Sequence, residues 1–222
     1  MRCVIFDLDG TLADTSGDLI AAANVSFAEM GAAVRLDPQA DAATAFRGGR
    51  AMLKLGLARE GRLSDNAVEA WYPRLLEAYG DEIDLRTKIY PGAMEAVEAL
   101  RSDGHAVGIC TNKPEALAET LLQRLGVRSM FDSLIGADTL PVRKPDPAPF
   151  WAAVDGAGGF RDHALLVGDT DTDRRTARAA GVPCILVTFG PEGDAVLTLE
   201  PEGKIAHFDQ LAAEVSRIFG QR

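Results

Sequence analysis

Residues 3–11 read CVIFDLDGT, and this stretch indicates both the fold and the candidate site. Its first four residues form a continuous apolar run, which is typical of a strand buried on both faces of a parallel sheet. Asp7 and Asp9 follow directly and are two residues apart, so in extended backbone their side chains leave on the same side. The stretch therefore predicts a buried strand that ends in paired carboxylates.

Further apolar runs of this kind recur along the chain and are separated by helical patterns. The runs are residues 106–110, 133–136, 164–167 and 184–187. The helical patterns are residues 93–101, 114–125, 146–154 and 173–180. Strand and helix in alternation predict an α/β fold with a doubly wound, Rossmann-like parallel sheet.

The segment from residue 15 to residue 88 breaks this alternation, because it contains no convincing strand. Helical patterns are found in residues 20–30, 49–60 and 66–79. We therefore expect an all-helical cap domain, residues 15–88, inserted into an α/β core domain formed by residues 1–14 and 89–222. The length of 222 residues agrees with one domain carrying an insert, at roughly 150 residues per domain.

The composition excludes several classes of partner. The net charge is -10, so we expect no binding to nucleic acid and none to anionic membranes. Three cysteines, Cys3, Cys110 and Cys184, lie in apolar runs without paired spacing, which favours buried thiols in a reducing compartment. No targeting segment or membrane span is visible, so we expect a cytoplasmic protein, either a monomer or a homodimer.

Polar residues follow four of the predicted strands. They are Asp7, Asp9 and Thr11; Thr111 and Asn112; Lys144; and Asp169, Asp171 and Asp173. Because the carboxyl ends of parallel strands lie at one edge of the sheet, where ligands bind, we expect these residues to converge on one site. Each has an ordinary alternative, since an aspartate after a strand is often a helix cap and a lysine is often solvated. Their coincidence at four strand ends favours a site.

The carboxylates of this site require a local cation. Asp7, Asp9, Asp169 and Asp173 would repel one another without one, and ligands that are all oxygen suit Mg²⁺. Lys144 adds a second positive charge. An acidic protein that handles an anionic substrate needs such cations to reverse its own field.

The remaining residues suit a phosphate group. Thr111 and Asn112, with the amides that begin the following helix, offer hydrogen-bond donors. Gly10 lets the backbone approach closely. A carboxylate nucleophile, a divalent metal, a lysine and a set of donors together indicate phosphoryl transfer.

These clusters resemble the four motifs of the haloacid dehalogenase-like hydrolase superfamily. The matching stretches are residues 7–11, Thr111-Asn112, Lys144-Pro145 and residues 168–173. With an inserted helical cap, the resemblance covers almost the whole chain. Residues 12–15, 90–92 and 178–181, with Asp18, Leu19 and Asn24, look most like the phosphoglycolate phosphatase branch.

The resemblance implies a role for each motif residue. Asp7 would be the nucleophile and a metal ligand. Asp9 would be the general acid and base, and its backbone carbonyl would also reach the metal. Lys144 would hold nucleophile and phosphate together, Asp169 would ligate Mg²⁺, and Asp173 would support that shell or Lys144.

Other residues have weaker expected roles. Phosphate binding is expected from Gly10, Thr11, Thr111, Asn112 and Lys144. In the cap, which would close over the substrate, Arg47 and Arg50 are candidates for contacting its far end. The alternative for these arginines is a solvated helix start. Asp171 does not match the acidic positions of the motif.

Several activities remain open. 2-Phosphoglycolate is the substrate that the resemblance favours, with pyrophosphate, sugar phosphates and nucleoside monophosphates as alternatives. Founding dehalogenases of the superfamily lack the acid at the position of Asp9, and phosphonate-cleaving relatives also depart there, so neither activity is expected. A phosphoglucomutase-like enzyme keeps this acid. A phosphate-binding module without catalysis is the rival of a different class.

Overall fold

Six parallel strands form the main sheet of the computed structural model, which describes residues 1–220. In chain order the strands are β1 (Cys3–Phe6), β2 (Ala13–Asp14), β3 (Lys88–Ile89), β4 (Ala106–Cys110), β5 (Ser133–Ile135), β6 (Ala164–Gly168), β7 (Cys184–Val187) and β8 (Gly203–Ile205). The main sheet has the order β5-β4-β1-β6-β7-β8, and β2 pairs with β3 in a small second sheet. The α/β class with a parallel sheet is confirmed.

Strand β1 lies in the interior of the main sheet, between β4 and β6, and pairs in parallel with both. Cys3 is in register with Ala106 of β4 and with Ala164 of β6. All four residues of β1 are buried, as are those of β4, β6 and β7. Burial on both faces explains why these strands are continuous apolar runs rather than alternating ones.

Nine α-helices are found in the described residues. They are α1 (Ser16–Glu29), α2 (Ala42–Ala45), α3 (Gly49–Arg59), α4 (Asp65–Asp81), α5 (Ala93–Ser102), α6 (Glu115–Arg124), α7 (Ala148–Gly156), α8 (Asp171–Ala180) and α9 (Leu211–Gly220). Helix α7 packs on β1, β4 and β5, and α8 packs on β6 and β7. Phe150 and Val154 of α7 join Cys3 and Ile5 in one buried apolar cluster. None of the helices within residues 1–220 combines the length and the apolar character that a membrane span requires.

The chain divides into two compact units. The core unit comprises Met1–Ala13 and Ile89–Arg222, and the helical unit comprises Asp14–Lys88. The helical unit contains α1 to α4 and no strand of the main sheet. That this unit acts as a cap over substrate stays a prediction.

Inside the helical unit, Asp18 joins the start of α1 to the segment after α4. Its buried carboxylate accepts hydrogen bonds from the backbone amides of Arg86 and Thr87 and from the Thr87 hydroxyl. The Arg86 guanidinium lies 3.2 Å from the same carboxylate. One acidic side chain therefore fixes both ends of this unit.

Three details differ from the sequence interpretation. Helix α8 begins at Asp171 rather than Asp173, because the Asp173 carboxylate accepts hydrogen bonds from the amide and hydroxyl of Thr170 and so caps the helix from its third position. Helix α2 is only four residues long and too short to show a periodic pattern. Strand β8 was missed because the exposed Lys204 lies between Gly203 and Ile205 and no apolar run forms.

Candidate active site

The order of the strands brings the predicted polar residues to one edge of the main sheet. Asp7 follows β1, which lies between β4 and β6. Thr111 therefore flanks Asp7 on one side, after β4, and Asp169 flanks it on the other, after β6. The loop after β5, next to β4, carries Lys144.

Asp7 is a nearly buried carboxylate with two direct partners. Its side chain is 13% exposed, and its Oδ1 lies 3.1 Å from the ammonium nitrogen of Lys144. The backbone amide of Leu8 donates to the same oxygen at 2.7 Å. The pKa of Asp7 is raised to about 7, mainly by burial and further by the charges of Asp173 and Asp9, against the lowering effect of Lys144. The burial of Asp7 thus disfavours the negatively charged form of its carboxyl group.

Lys144 bridges two carboxylates in the interior. Its side chain is 1% exposed, and its Nζ donates to Oδ1 of Asp173 at 2.7 Å as well as facing Asp7. Burial disfavours the ammonium form, but Asp173 and Asp7 outweigh burial, so the pKa of Lys144 is raised. The side-chain amide of Asn112 donates to the Lys144 backbone carbonyl at 3.0 Å and holds this loop. Lys144 therefore stays charged beside Asp7.

Asp169 has an unused oxygen. Its Oδ1 accepts a hydrogen bond from the Thr11 hydroxyl at 2.9 Å, whereas its Oδ2 is buried and has no hydrogen-bond partner within residues 1–220. Burial first, and then the charges of Asp173 and Asp7, raise the pKa of the Asp169 carboxyl well above its usual range. A buried carboxylate oxygen without a partner is costly unless a cation faces it.

A divalent cation fits this group of carboxylates. Ligand oxygens of Asp7, Asp169 and Asp173 all lie within 4.8 Å of one another. Both oxygens of Asp173 already accept hydrogen bonds, one from Lys144 and the other from Thr170. The oxygen of Asp169 that lacks a partner, together with Asp7, is the better donor set, which leaves Asp173 to orient Lys144.

Asp9 has a different partner from Asp7. Its side chain is 17% exposed, and its Oδ1 lies 3.0 Å from the ammonium nitrogen of Lys113. Lys113 is not among the site residues predicted from the sequence, although it directly follows Thr111 and Asn112. A lysine after a strand usually reads as solvated, so only its position beside two motif residues could have indicated a role.

The predicted phosphate-binding residues lie at the same edge of the sheet but differ in what they bind here. Gly10 has φ +81°, a conformation that other residues rarely adopt, so the turn after Asp9 requires glycine. The single hydroxyl hydrogen of Thr11 is used on Asp169. The buried hydroxyl of Thr111 accepts from the amide of Lys113 at 3.2 Å and keeps its own hydrogen to donate. Their contacts with phosphate stay predictions.

A family model described as haloacid dehalogenase-like hydrolase matches residues 4–187, a range that contains every residue of this site. The chain belongs to the haloacid dehalogenase-like hydrolases. The resemblance found in the motifs is thereby confirmed.

Curated relatives of this haloacid dehalogenase-like hydrolase match over most of their length. A phosphoglycolate phosphatase of Mesorhizobium japonicum is 38% identical over 214 residues, with 96% of this chain and 94% of the relative covered. A phosphoglycolate phosphatase of Rhodospirillum rubrum is 40% identical over 217 residues, with 96% and 88% covered. Among solved structures, a predicted phosphoglycolate phosphatase of Haemophilus somnus superposes with a TM-score of 0.82 at 22% identity, with 96% and 97% covered, which supports the fold.

In the haloacid dehalogenase-like core, the backbone of a residue outside the four motifs also lies close to the site loops. Gly190 follows β7, and a Cβ placed on it would lie 3.0 Å from the Gly10 carbonyl oxygen and 3.1 Å from Cβ of Asp169. These distances are tight for any side chain. The absence of a side chain at residue 190 therefore lets the loop after β7 pack against the loops that carry Gly10 and Asp169.

The two arginines predicted to contact substrate lie in the helical unit. Arg50, in the first turn of α3, forms two hydrogen bonds with Glu69 at 2.7 and 2.8 Å, and its guanidinium lies 3.6 Å from the centre of the Tyr72 ring. Arg47 is exposed in the turn before α3. Arg50 thus has partners within its own unit, and the part of both arginines in substrate binding stays a prediction.

Proposed function

We propose that this haloacid dehalogenase-like hydrolase is a Mg²⁺-dependent phosphatase that hydrolyses a small phosphate monoester through a phosphorylated Asp7. The observation that carries the proposal is that Asp7 lies beside the ammonium of Lys144 and in one carboxylate cluster with Asp169. Lys144 lies 3.1 Å from the Asp7 carboxylate, and the Asp169 oxygen that has no hydrogen-bond partner within residues 1–220 supports a cation site beside it. Such an arrangement suits an anionic nucleophile that must meet an anionic substrate.

Asp7 and Asp9 divide the chemistry between them. Asp7 attacks phosphorus in line, the bond from phosphorus to the leaving oxygen breaks, and that oxygen takes a proton from Asp9. Water then attacks the phosphorus of the aspartyl phosphate and gives a proton to Asp9, the bond between phosphorus and Asp7 breaks, and inorganic phosphate is released. General acid and base catalysis of this type contributes about 10²- to 10⁴-fold.

Lys144 and the metal ligands stabilise the charge that these steps create. Lys144 keeps its ammonium on Asp7 and on the adjacent phosphoryl oxygens, with Asp173 holding it from behind at 2.7 Å. The carboxylates of Asp7 and Asp169 and the backbone carbonyl of Asp9 would hold Mg²⁺. When bound, Mg²⁺ acts as a Lewis acid that neutralises charge on the phosphoryl group.

For the substrate we propose 2-phosphoglycolate. The support is the name carried by relatives at 38% and 40% identity, each matched over 96% of this chain. We also propose a cytoplasmic location, because three buried, unpaired cysteines suit a reducing compartment.

The test is phosphate release from a panel containing 2-phosphoglycolate, pyrophosphate, a sugar phosphate and a nucleoside monophosphate, with and without Mg²⁺. We expect turnover only with Mg²⁺, the highest kcat/KM for 2-phosphoglycolate, and no turnover by Asp7→Asn. Asp171→Asn is the matched control, because Asp171 is an exposed aspartate in the same motif. Turnover retained by Asp7→Asn would contradict the proposed nucleophile. Binding of an ester without turnover by the wild type, measured by calorimetry, would favour a binding module.

A further inference from the structure

Lys113 is a buried lysine that has no role in the proposed catalytic steps. Its side chain is 3% exposed, and its ammonium nitrogen lies 3.0 Å from Oδ1 of Asp9. Burying an ammonium group is unfavourable unless a partner of opposite charge compensates for it. The partner here is the carboxylate that transfers protons in the proposed mechanism, so Lys113 is in direct contact with a proposed reacting group.

The backbone of Lys113 is fixed from two sides. Its amide donates to the Thr111 hydroxyl oxygen at 3.2 Å. Its carbonyl accepts from the amide of Ala137, in the loop after β5, at 2.9 Å. The root of the side chain is therefore held by both β4 and β5 loops, which limits where its ammonium can lie.

The site thus contains two separate lysine–carboxylate pairs. Lys144 faces Asp7, the proposed nucleophile, whereas Lys113 faces Asp9. A carboxyl group transfers a proton through one oxygen at a time, so an ammonium that holds Oδ1 also sets the direction of the other oxygen. A fixed direction matters because a proton donor must lie within about 3 Å of the oxygen that it serves.

We propose that Lys113 is a positioning residue for Asp9, and this inference rests on the proposed phosphatase activity. By holding Oδ1, Lys113 presents the Asp9 carboxyl in one orientation to the leaving oxygen and then to the hydrolytic water. Lys113 keeps all its protons throughout. In each step the proton moves only between Asp9 and the leaving oxygen or the water.

The experiment compares Lys113→Met and Lys113→Arg in the wild type and in Asp9→Asn. Methionine keeps the length of the side chain without the charge, and arginine keeps the charge. Lys204→Met, which removes an exposed lysine from β8 of the same unit, controls for lost charge alone. Turnover is followed with substrate in excess and, for slow variants, in single turnovers with enzyme in excess. Thermal unfolding midpoints and calorimetric binding of inorganic phosphate are measured alongside.

If Lys113 acts through Asp9, Lys113→Met lowers kcat by about 10- to 100-fold, a part of the full general acid–base contribution. KM and phosphate affinity stay within about twofold, Lys113→Arg recovers part of kcat, and Lys113→Met adds no further loss to Asp9→Asn. A loss of equal size in Asp9→Asn, or a raised KM with weaker phosphate binding, would instead make Lys113 a direct phosphate ligand and overturn the inference.

The remaining outcomes separate this inference from the proposed function. A wild type that is folded and turns over no ester refutes the phosphatase and the inference that rests on it. An active wild type whose kcat is matched by Lys113→Met overturns the inference alone. A fall in kcat that arginine does not recover, with an unfolding midpoint lowered equally in both Lys113 variants, shows a purely structural role and also overturns it.

Discussion

Substitution of Asp173 tests how strongly the stability of the site depends on one buried carboxylate. It is fully buried, accepts from Lys144 at 2.7 Å, and accepts from the amide and hydroxyl of Thr170 at 3.2 and 2.8 Å. We expect Asp173→Ala to unfold more easily than the wild type because it removes the partner of a buried ammonium and a helix cap together. Asp173→Asn keeps an acceptor for Thr170 but loses the charge.

The magnitude follows from these contacts. A hydrogen bond to a charged group contributes about 1.5–3 kcal/mol, and a helix cap about 1 kcal/mol. Asp173→Ala should therefore cost about 2.5–4 kcal/mol and Asp173→Asn about 1 kcal/mol less. In a chain of this length, each kcal/mol of lost stability lowers the unfolding midpoint by about 2–4 °C, so Asp173→Ala should lower the midpoint by about 5–16 °C.

The unfolding of the core unit can be monitored separately from that of the helical unit. Trp151 lies on α7 of the core unit and Trp71 on α4 of the helical unit, so tryptophan fluorescence in a Trp71→Phe background reports on the core. Phosphate release measured on the same variants should fall as Lys144 loses its support. The reasoning is refuted if Asp173→Asn has the stability and turnover of Asp171→Asn, whose side chain is exposed.

Three further changes have expected outcomes. Asp18→Ala should destabilise the helical unit by about 1–3 kcal/mol because it leaves the buried amide and hydroxyl of Thr87 without this partner. An unfolding midpoint equal to that of the wild type, followed by the fluorescence of Trp71, would contradict this. Asp169→Asn should raise the unfolding midpoint without added Mg²⁺ and reduce the increase that Mg²⁺ produces; an unchanged Mg²⁺ effect in a thermal shift assay would exclude Asp169 as a ligand. Burial lowers the pKa of His105, so stability should be full above the ordinary histidine pKa of about 6.5 and fall as pH drops below it, since the unfolded chain protonates first. A His105→Phe variant with the same pH dependence between about pH 7.5 and 5 would contradict that assignment.

Much of the core could be predicted because its physical cause is local in the sequence. Strands buried on both faces must be apolar throughout, so β1, β4, β6 and β7 were visible as runs. The carboxyl ends of parallel strands meet at one edge, so the residues after those runs could be assigned to one site. The edge strand β8 has one exposed residue in three and carries no such pattern.

The partners of the site residues could not be predicted in the same way. Which lysine faces which aspartate depends on how two loops lie in space, and residue types alone do not encode that. For this reason the sequence predicts neither the pairing of Lys113 with Asp9 nor the hydrogen bond from the Thr11 hydroxyl to Asp169. The unused oxygen of Asp169 is likewise visible only once every neighbouring donor has been placed.

The inner position of β1 has a consequence for synthesis of the chain. Within residues 1–220 its strand partners are β4 and β6, which begin at residues 106 and 164. The apolar run at residues 3–6 therefore has no partner among them until about 100 further residues have been made. At about 5–20 residues per second, synthesis of these residues takes about 5–20 s. The helical unit is synthesised in this interval, before β4. Unpaired apolar strands invite aggregation, and flanking charges oppose it. The charges of Asp7 and Asp9, which directly follow β1, therefore oppose aggregation of the nascent strand before the candidate site has formed.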